Sequence, residues 1–337
     1  MAKQAIFEKK NVLVTGGAGF IGSHLCDELV KTAKVICVDN FITSQRLNIE
    51  HLLQNPNFVL VNHDINQPLD LTAFPELEHF RVEFQGVQEV YHLACPTSPK
   101  NFQEQRMATL DSNTLGMKNV LELAHKYHAK FLFASSSVVY GLRRPDDPYY
   151  YEGYVGSLDQ ASPRACYDLG KKFAETMVNV YHEMHGLRTR IARIFRTYGP
   201  RMLLNNGHMI PDFIVQALQN EDLIVYGDET FRTSLCYVSD VVDGLIRLMA
   251  TTQDHFTVNI GSDQDIPILH VAEKVLQMTG SSAHVRFEAP LLFMSPLGLP
   301  VITAAKDDLG WIPVVTLERG LQMTIDYAKA ERYRIGL

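Results

Sequence analysis

The sequence predicts an α/β fold: a Rossmann-type, doubly wound parallel sheet with a smaller, discontinuous α/β lobe. Three observations predict it. Short apolar runs rich in β-branched and aromatic residues recur up to Phe195, and stretches of helical length separate several of them. The first run leads into a glycine turn and then a helix start, the order of a dinucleotide-type βαβ unit. After Tyr198 glycine and proline become frequent and the pattern breaks into shorter pieces.

Taken in order, strands are expected at residues 12–15, 35–39, 58–62, 89–93, 131–135 and 190–195. Their nearly continuous apolar character fits strands covered on both faces. Helices are expected at 20–30, 109–128 and 164–185, and residues 72–86 read as an irregular surface excursion. Beyond Tyr198 the expectations are a helix at 209–218, a strand at 223–226, a helix at 241–249 and one more core strand at 257–260. The tail adds a helix at 269–278, a strand near Val285 and a last helix from Leu317. The sheet domain is expected to comprise 1–196 plus 237–264. The lobe, 197–236 plus 265–337, is expected over the sheet's carboxyl edge, where open α/β sheets bind ligands.

Composition excludes several classes. The chain has 337 residues, 46% of them hydrophobic, enough for a large core. Net charge is −7 with no basic block, so no nucleic-acid partner is expected. No apolar run approaches the ~20 residues of a membrane span, and the N-terminus lacks a signal-peptide core. The five cysteines are scattered without a CxxC pair, which fits a reducing cytoplasm and argues against a zinc ribbon. His182 and His185, with Glu183 between them, read as solvated helix residues, and no metal is expected. Cys166 reads as a small buried side chain.

"VLVTGGAGFIGSHL" places Gly16, Gly19 and Gly22 as GxxGxxG between strand and helix. The first glycine permits the turn, the second lets a pyrophosphate reach backbone amides, and the third lets helix pack on strand. Asp39 ends the second strand in "VICVDN". A carboxylate there accepts ribose hydroxyls and repels a 2′-phosphate, so the expected cofactor is NAD. Asp64 and Ile65, after the third strand, are candidates for the adenine, with Asp64 as a plain turn residue the alternative.

"CYDLGKK" puts Tyr167 and Lys171 four apart, on one face of a helix. A nearby ammonium, or a nicotinamide cation, lowers a phenol's pKa, so Tyr167 is the candidate acid/base. The strand end "FLFASSSVVYG" supplies Ser135, Ser136 and Ser137, and Ser136 is chosen as the group that binds and relays the substrate proton. The aromatic run "PYYYEGY" (148–154) reads equally as pocket wall or loop packing.

Together these features resemble the extended short-chain dehydrogenase/reductase family of NAD-dependent nucleotide-sugar epimerases and dehydratases. Within it, "YHLACPTSPKNF", "SPRACYDLGKKFAETM", "RIARIFRTYGPRM", "DFIVQALQNEDLIVYGD", "CYVSDVVDGLIRLM" and "LGWIPVV" look most like the UDP-glucuronate decarboxylase branch. The resemblance implies transient oxidation at sugar C4, with decarboxylation or 4-epimerisation as outcomes, a sugar or sugar-nucleotide substrate, and a homodimer. The same chemistry on a non-standard sugar, and a non-catalytic NAD-binding protein, are the alternatives. The resemblance also implies cofactor contacts at Phe20, Ile21, Asn40, Leu93, Ala94 and Pro96, with Asn113 as a brace near the nicotinamide.

Departures cluster on the substrate side. Val138 stands where the decarboxylases carry a glutamate, and Arg196 where the family has an asparagine. Thr233 and Gly298 stand where it has substrate-gripping arginines, with Arg232 one residue early. A one-residue shift on a strand turns a side chain to the other face. Ser136, Ser137, Arg196, Arg201 and Arg232 are the substrate-side candidates, and a shifted substrate or shifted phosphate recognition is the expectation.

Overall fold

A computed structural model describes residues 9–98, 104–204, 206–290 and 296–331. Residues 99–102 of the "YHLACPTSPKNF" stretch lie outside them. Seven strands form the central sheet: β1 (Asn11–Thr15), β2 (Lys34–Asp39), β3 (Phe58–Asn62), β4 (Glu89–His92), β5 (Lys130–Ser136), β6 (Thr189–Ile194) and β7 (His255–Ile260). All pair in parallel, in the order β7-β6-β5-β4-β1-β2-β3. The chain reverses direction across the sheet between β1 and β4. Loops leaving those two strands diverge there and open a crevice at the carboxyl edge.

The helices are α1 (Phe20–Leu29), α2, α3 (Ala165–His185), α4 (Met209–Gln219), α5 (Val238–Ala250), α6 (Ile268–Thr279), α7 (Thr303–Leu309) and α8 (Leu317–Glu331). Helix α2 runs through Arg106–Asp111, a π turn at Ser112–Gly116 and Met117–Lys126. Alternation along the strands divides the core. Val12 and Val14 join one face with Leu25 and Leu245. Leu13, Ile36 and Val38 join the other with Val120, Ala174 and Val178. Strands β1 to β6 are therefore apolar on both faces, as their sequences require, while β7 turns Val258 and Ile260 to one face and Thr257 and Asn259 to the other.

The region beyond Tyr198 packs α4 and α6 beside a parallel pair, Leu223–Tyr226 with Val285–Glu288. Its buried residues Ile210, Phe213, Leu223, Ile268 and Val271 belong to the same continuous cluster as Val12 and Leu25. Two local expectations change. Residues 72–86 are not a mere surface excursion, since Leu77, Phe80 and Val82 are buried against the α2 face of the sheet. Helix α7 was not expected; it precedes Trp311, whose indole donates to Asp240 O at 2.8 Å. Among the described residues no helix is long and apolar enough to cross a membrane.

Candidate active site

The glycine turn is built for close approach. Gly16 has φ +72°, and a Cβ on it would lie 2.8 Å from the Ala94 backbone. A Cβ on Gly22 would lie 2.1 Å from Gly16 O. Gly19 immediately precedes α1, so the turn presents amides at a helix N-terminus. Asp39 Oδ2 accepts from Ala18 N at 2.9 Å, while Oδ1 accepts from Phe41 N at 2.9 Å and Ser44 Oγ at 2.6 Å. That carboxylate fixes the turn and stands on the wall of the cleft. A glycine cradle that any side chain would fill, with an acid beside it, fits the dinucleotide NAD rather than its 2′-phosphorylated form.

A cleft of about 460 Å³ runs from this turn past Tyr167 to the inner face of α4. Phe20, Ile21, Asn40, Asp64, Ile65, Leu93, Ala94 and Pro96 border it at the cofactor end. Asn113 does not. Its amide donates to Thr109 O at 2.8 Å and Cys95 Sγ at 3.2 Å, and Gly170 packs against it. It braces α2 against α3 behind the site.

Tyr167 and Lys171 share the buried face of α3. Three successive residues at the end of β5 each hold one point of that helix. The Ala134 carbonyl accepts from Lys171 Nζ at 2.9 Å, Ser135 Oγ donates to Glu175 Oε1 at 2.5 Å, and the Ser136 side chain acts on the Tyr167 phenol, favouring its ionised form. Glu175 also forms a buried ion pair with Arg193 of β6, at 2.7 Å. Burial pushes the Tyr167 phenol well above its ordinary value, the Cys95 thiol adds to this, and the Ser136 side chain opposes it. Lys171 is buried one helical turn on from Tyr167. Its ammonium is tied to Ala134 and lies 5.8 Å from the phenol ring centroid. Burial also lowers Lys171 itself, against Cys95 and Glu175.

Val138 is buried and clusters with Tyr167, Cys95 and Leu297, so the wall beside the phenol is apolar. Ser137 lines the cleft within a 3-10 turn. Arg196 lines it as well, its Nη1 donating to Thr233 Oγ1 at 3.2 Å. Arg201 lines it too, with Nη1 2.8 Å from Asp27 Oδ2.

Arg232 is not brought to the cleft. It is exposed and paired with Asp265 at 2.8 Å, because the neighbouring Thr233 takes the inward face. At Gly298 a Cβ would lie 2.1 Å from the Tyr150 ring, so no longer side chain fits there. The aromatic run packs on itself: Tyr140, Tyr150 and Tyr154 stack at 4.7–6.2 Å, with Arg144 over Tyr154 at 4.8 Å.

His182 Nδ1 donates to Leu187 O at 2.9 Å, and its ring stacks on His255. Among the described residues no group of three or more His, Cys, Asp or Glu is placed to hold a metal. Sequence reasoning missed Arg164, His208 and Leu297 in the cleft wall, and Glu175 behind it. Only Glu175 carried a usable signal, standing four residues after Lys171 on the same helical face.

Comparison with known proteins agrees with this geometry. Residues 12–261 match the model of the NAD dependent epimerase/dehydratase family. UDP-glucuronic acid decarboxylase 1 of Xenopus tropicalis is 42% identical over 325 residues, covering 96% of this chain and 73% of that protein. An epimerase of Methanothermobacter thermautotrophicus superposes with a TM-score of 0.84 at 27% identity, covering 98% of this chain and 95% of that one. UDP-glucuronic acid 4-epimerase of Bacillus cereus, solved with UDP-glucuronic acid and NAD, superposes with a TM-score of 0.82 at 27% identity, covering 95% and 99%.

Proposed function

This chain belongs to the NAD dependent epimerase/dehydratase family, and from that premise we propose that it decarboxylates UDP-glucuronate through transient oxidation at sugar C4. The observation that carries the reading is Tyr167 and Lys171 on one buried face of α3, lining with Ser136 the same cleft as the glycine turn. The relative at 42% identity, itself a UDP-glucuronic acid decarboxylase, supports the choice of substrate.

Gly16, Gly19, Gly22 and Asp39 would hold NAD. When bound, it supplies hydride acceptance at C4 and the return of that hydride. The chain's own residues move the proton. Ser136 orients the C4 hydroxyl toward the phenol, and Tyr167 takes its proton and later gives it back. Lys171, anchored to Ala134, keeps a positive charge behind the phenol as it ionises. With a carbonyl at C4, the C5 carboxylate belongs to a β-keto acid. Its C–C bond electrons can pass into the C4 oxygen as CO₂ leaves, and C5 then takes up one proton.

One observation favours 4-epimerisation as a second reading. Val138 and Leu297 wall the phenol with apolar surface and offer no second acid beside it. Epimerisation needs only the proton shuttle and a turned intermediate. Incubation with NAD and UDP-glucuronate separates the two: CO₂ release supports decarboxylation, and a retained carboxylate with an inverted C4 supports epimerisation.

The proposal includes a homodimer. Phe173, Val180 and Met184 form an exposed apolar stripe on α3, and Leu115 is exposed on α2. Sedimentation should give twice the chain mass, and Val180→Glu should give a monomer. Five unpaired cysteines fit a reducing compartment, here taken as the cytoplasm. The division into 1–196 plus 237–264 and 197–236 plus 265–337 is part of the same reading.

A further inference from the structure

Two cations stand at the substrate end of the cleft. Arg164 is buried just before α3, one turn ahead of Tyr167, with Nη2 3.2 Å from Asp168 Oδ1. Arg196 follows β6 and reaches across to Thr233. Both line the cleft that holds Tyr167 and Ser136. They are close enough to repel: burial, and then the Arg164 charge, bring Arg196 down to about 10. Among the described residues no carboxylate acts on Arg196. His208 beside it stays neutral, at about 4, through burial first and the Arg196 charge second. So Arg196, half-buried in the cleft wall, has the Thr233 hydroxyl as a partner and no carboxylate partner among the described residues. Desolvating like charges is costly unless a ligand compensates them.

We propose that Arg164 and Arg196 form an oxyanion subsite of the cleft, gripping carboxylate or phosphate oxygens of the substrate between two planar forks. Guanidinium suits either group, because it pairs with both in bidentate geometry. Thr233 holds the Arg196 fork in place, so its hydroxyl does work that a longer cation at that position would prevent. The inference leans on the proposed function only for which ligand brings the oxyanion.

The test is calorimetric titration of the NAD-loaded protein with pyrophosphate, glucuronate, UDP-glucose and UDP-glucuronate. Wild type is compared with Arg196→Gln and with Arg196→Met, which keeps the apolar stem and guards against a folding defect. Binding should weaken about 10- to 100-fold, the loss of hydrogen bonds to a charged group. A loss with pyrophosphate and both nucleotide sugars identifies the phosphates. A loss confined to glucuronate and UDP-glucuronate identifies the carboxylate. The subsite is overturned if both variants bind every probe within about twofold of wild type, or if wild type binds none of them. If pyrophosphate or glucuronate binds in an Arg196-dependent way but no nucleotide sugar is turned over, the subsite stands and the proposed function falls.

Discussion

At the scale of single residues, burial is the dominant force on the site. It raises Tyr167, lowers Lys171 and holds His92 neutral at about 3, with the Lys171 charge adding to the last effect. His92 lies under the site, 2.7 Å from Thr15 Oγ1 and stacked on Phe133. Its folded pKa lies below the ordinary 6.5, so between about 6.5 and about 3 the unfolded chain binds the extra proton. Stability present at neutral pH is therefore lost as pH falls through that window, by up to about 1.4 kcal/mol per unit. Urea unfolding across pH 4 to 7 should show this slope, and His92→Gln should flatten it; an unchanged slope would show that His92 is not its source. Some of these roles were legible in sequence. Tyr167 and Lys171 follow from four-residue spacing on a helix, and the outward turn of Arg232 follows from a one-residue offset on a strand. The anchoring of Lys171 to Ala134 was not legible, because a carbonyl partner leaves no mark on residue identity.

At the scale of elements, the site is a clamp between β5 and α3, closed from behind by β6. Ala134, Ser135 and Ser136 hold Lys171, Glu175 and Tyr167 in turn, and Arg193 pins Glu175 from the neighbouring strand. Removing one partner of a buried ion pair strands the other charge. Glu175→Ala should therefore cost about 3–5 kcal/mol in denaturant unfolding. Glu175→Gln keeps an acceptor for Ser135 and should cost less, while lowering Lys171 further and shifting the pH–rate profile. An unmoved profile would leave Glu175 with a structural role alone. Strands and long helices were readable because period and burial agree along them. The 72–86 segment was not, since its turns are too short to show a period, although Leu77 and Phe80 are core residues. Helix α7, from Thr303 to Leu309, was missed for the same reason.

At the scale of the whole molecule, a shared core sets the cleft. Ile210 and Phe213 of α4 join the cluster of Val12 and Leu25, so the far wall of the cleft is packed against the sheet that carries its floor. The sheet order could be anticipated from the alternation of strand and helix and from the glycine turn. The substrate wall was legible only in part: Arg196 was named through the family resemblance, whereas Arg164 and Leu297 are far apart in sequence and share no pattern. The most direct test of the account is proton NMR of UDP-glucuronate incubated with the NAD-loaded wild type and with Tyr167→Phe. The account predicts loss of the carboxylate with retention of the nucleotide in the wild type, and a rate about 10²- to 10⁴-fold lower in the NAD-retaining variant. Unchanged UDP-glucuronate in the wild type, or equal rates in the two proteins, would contradict it.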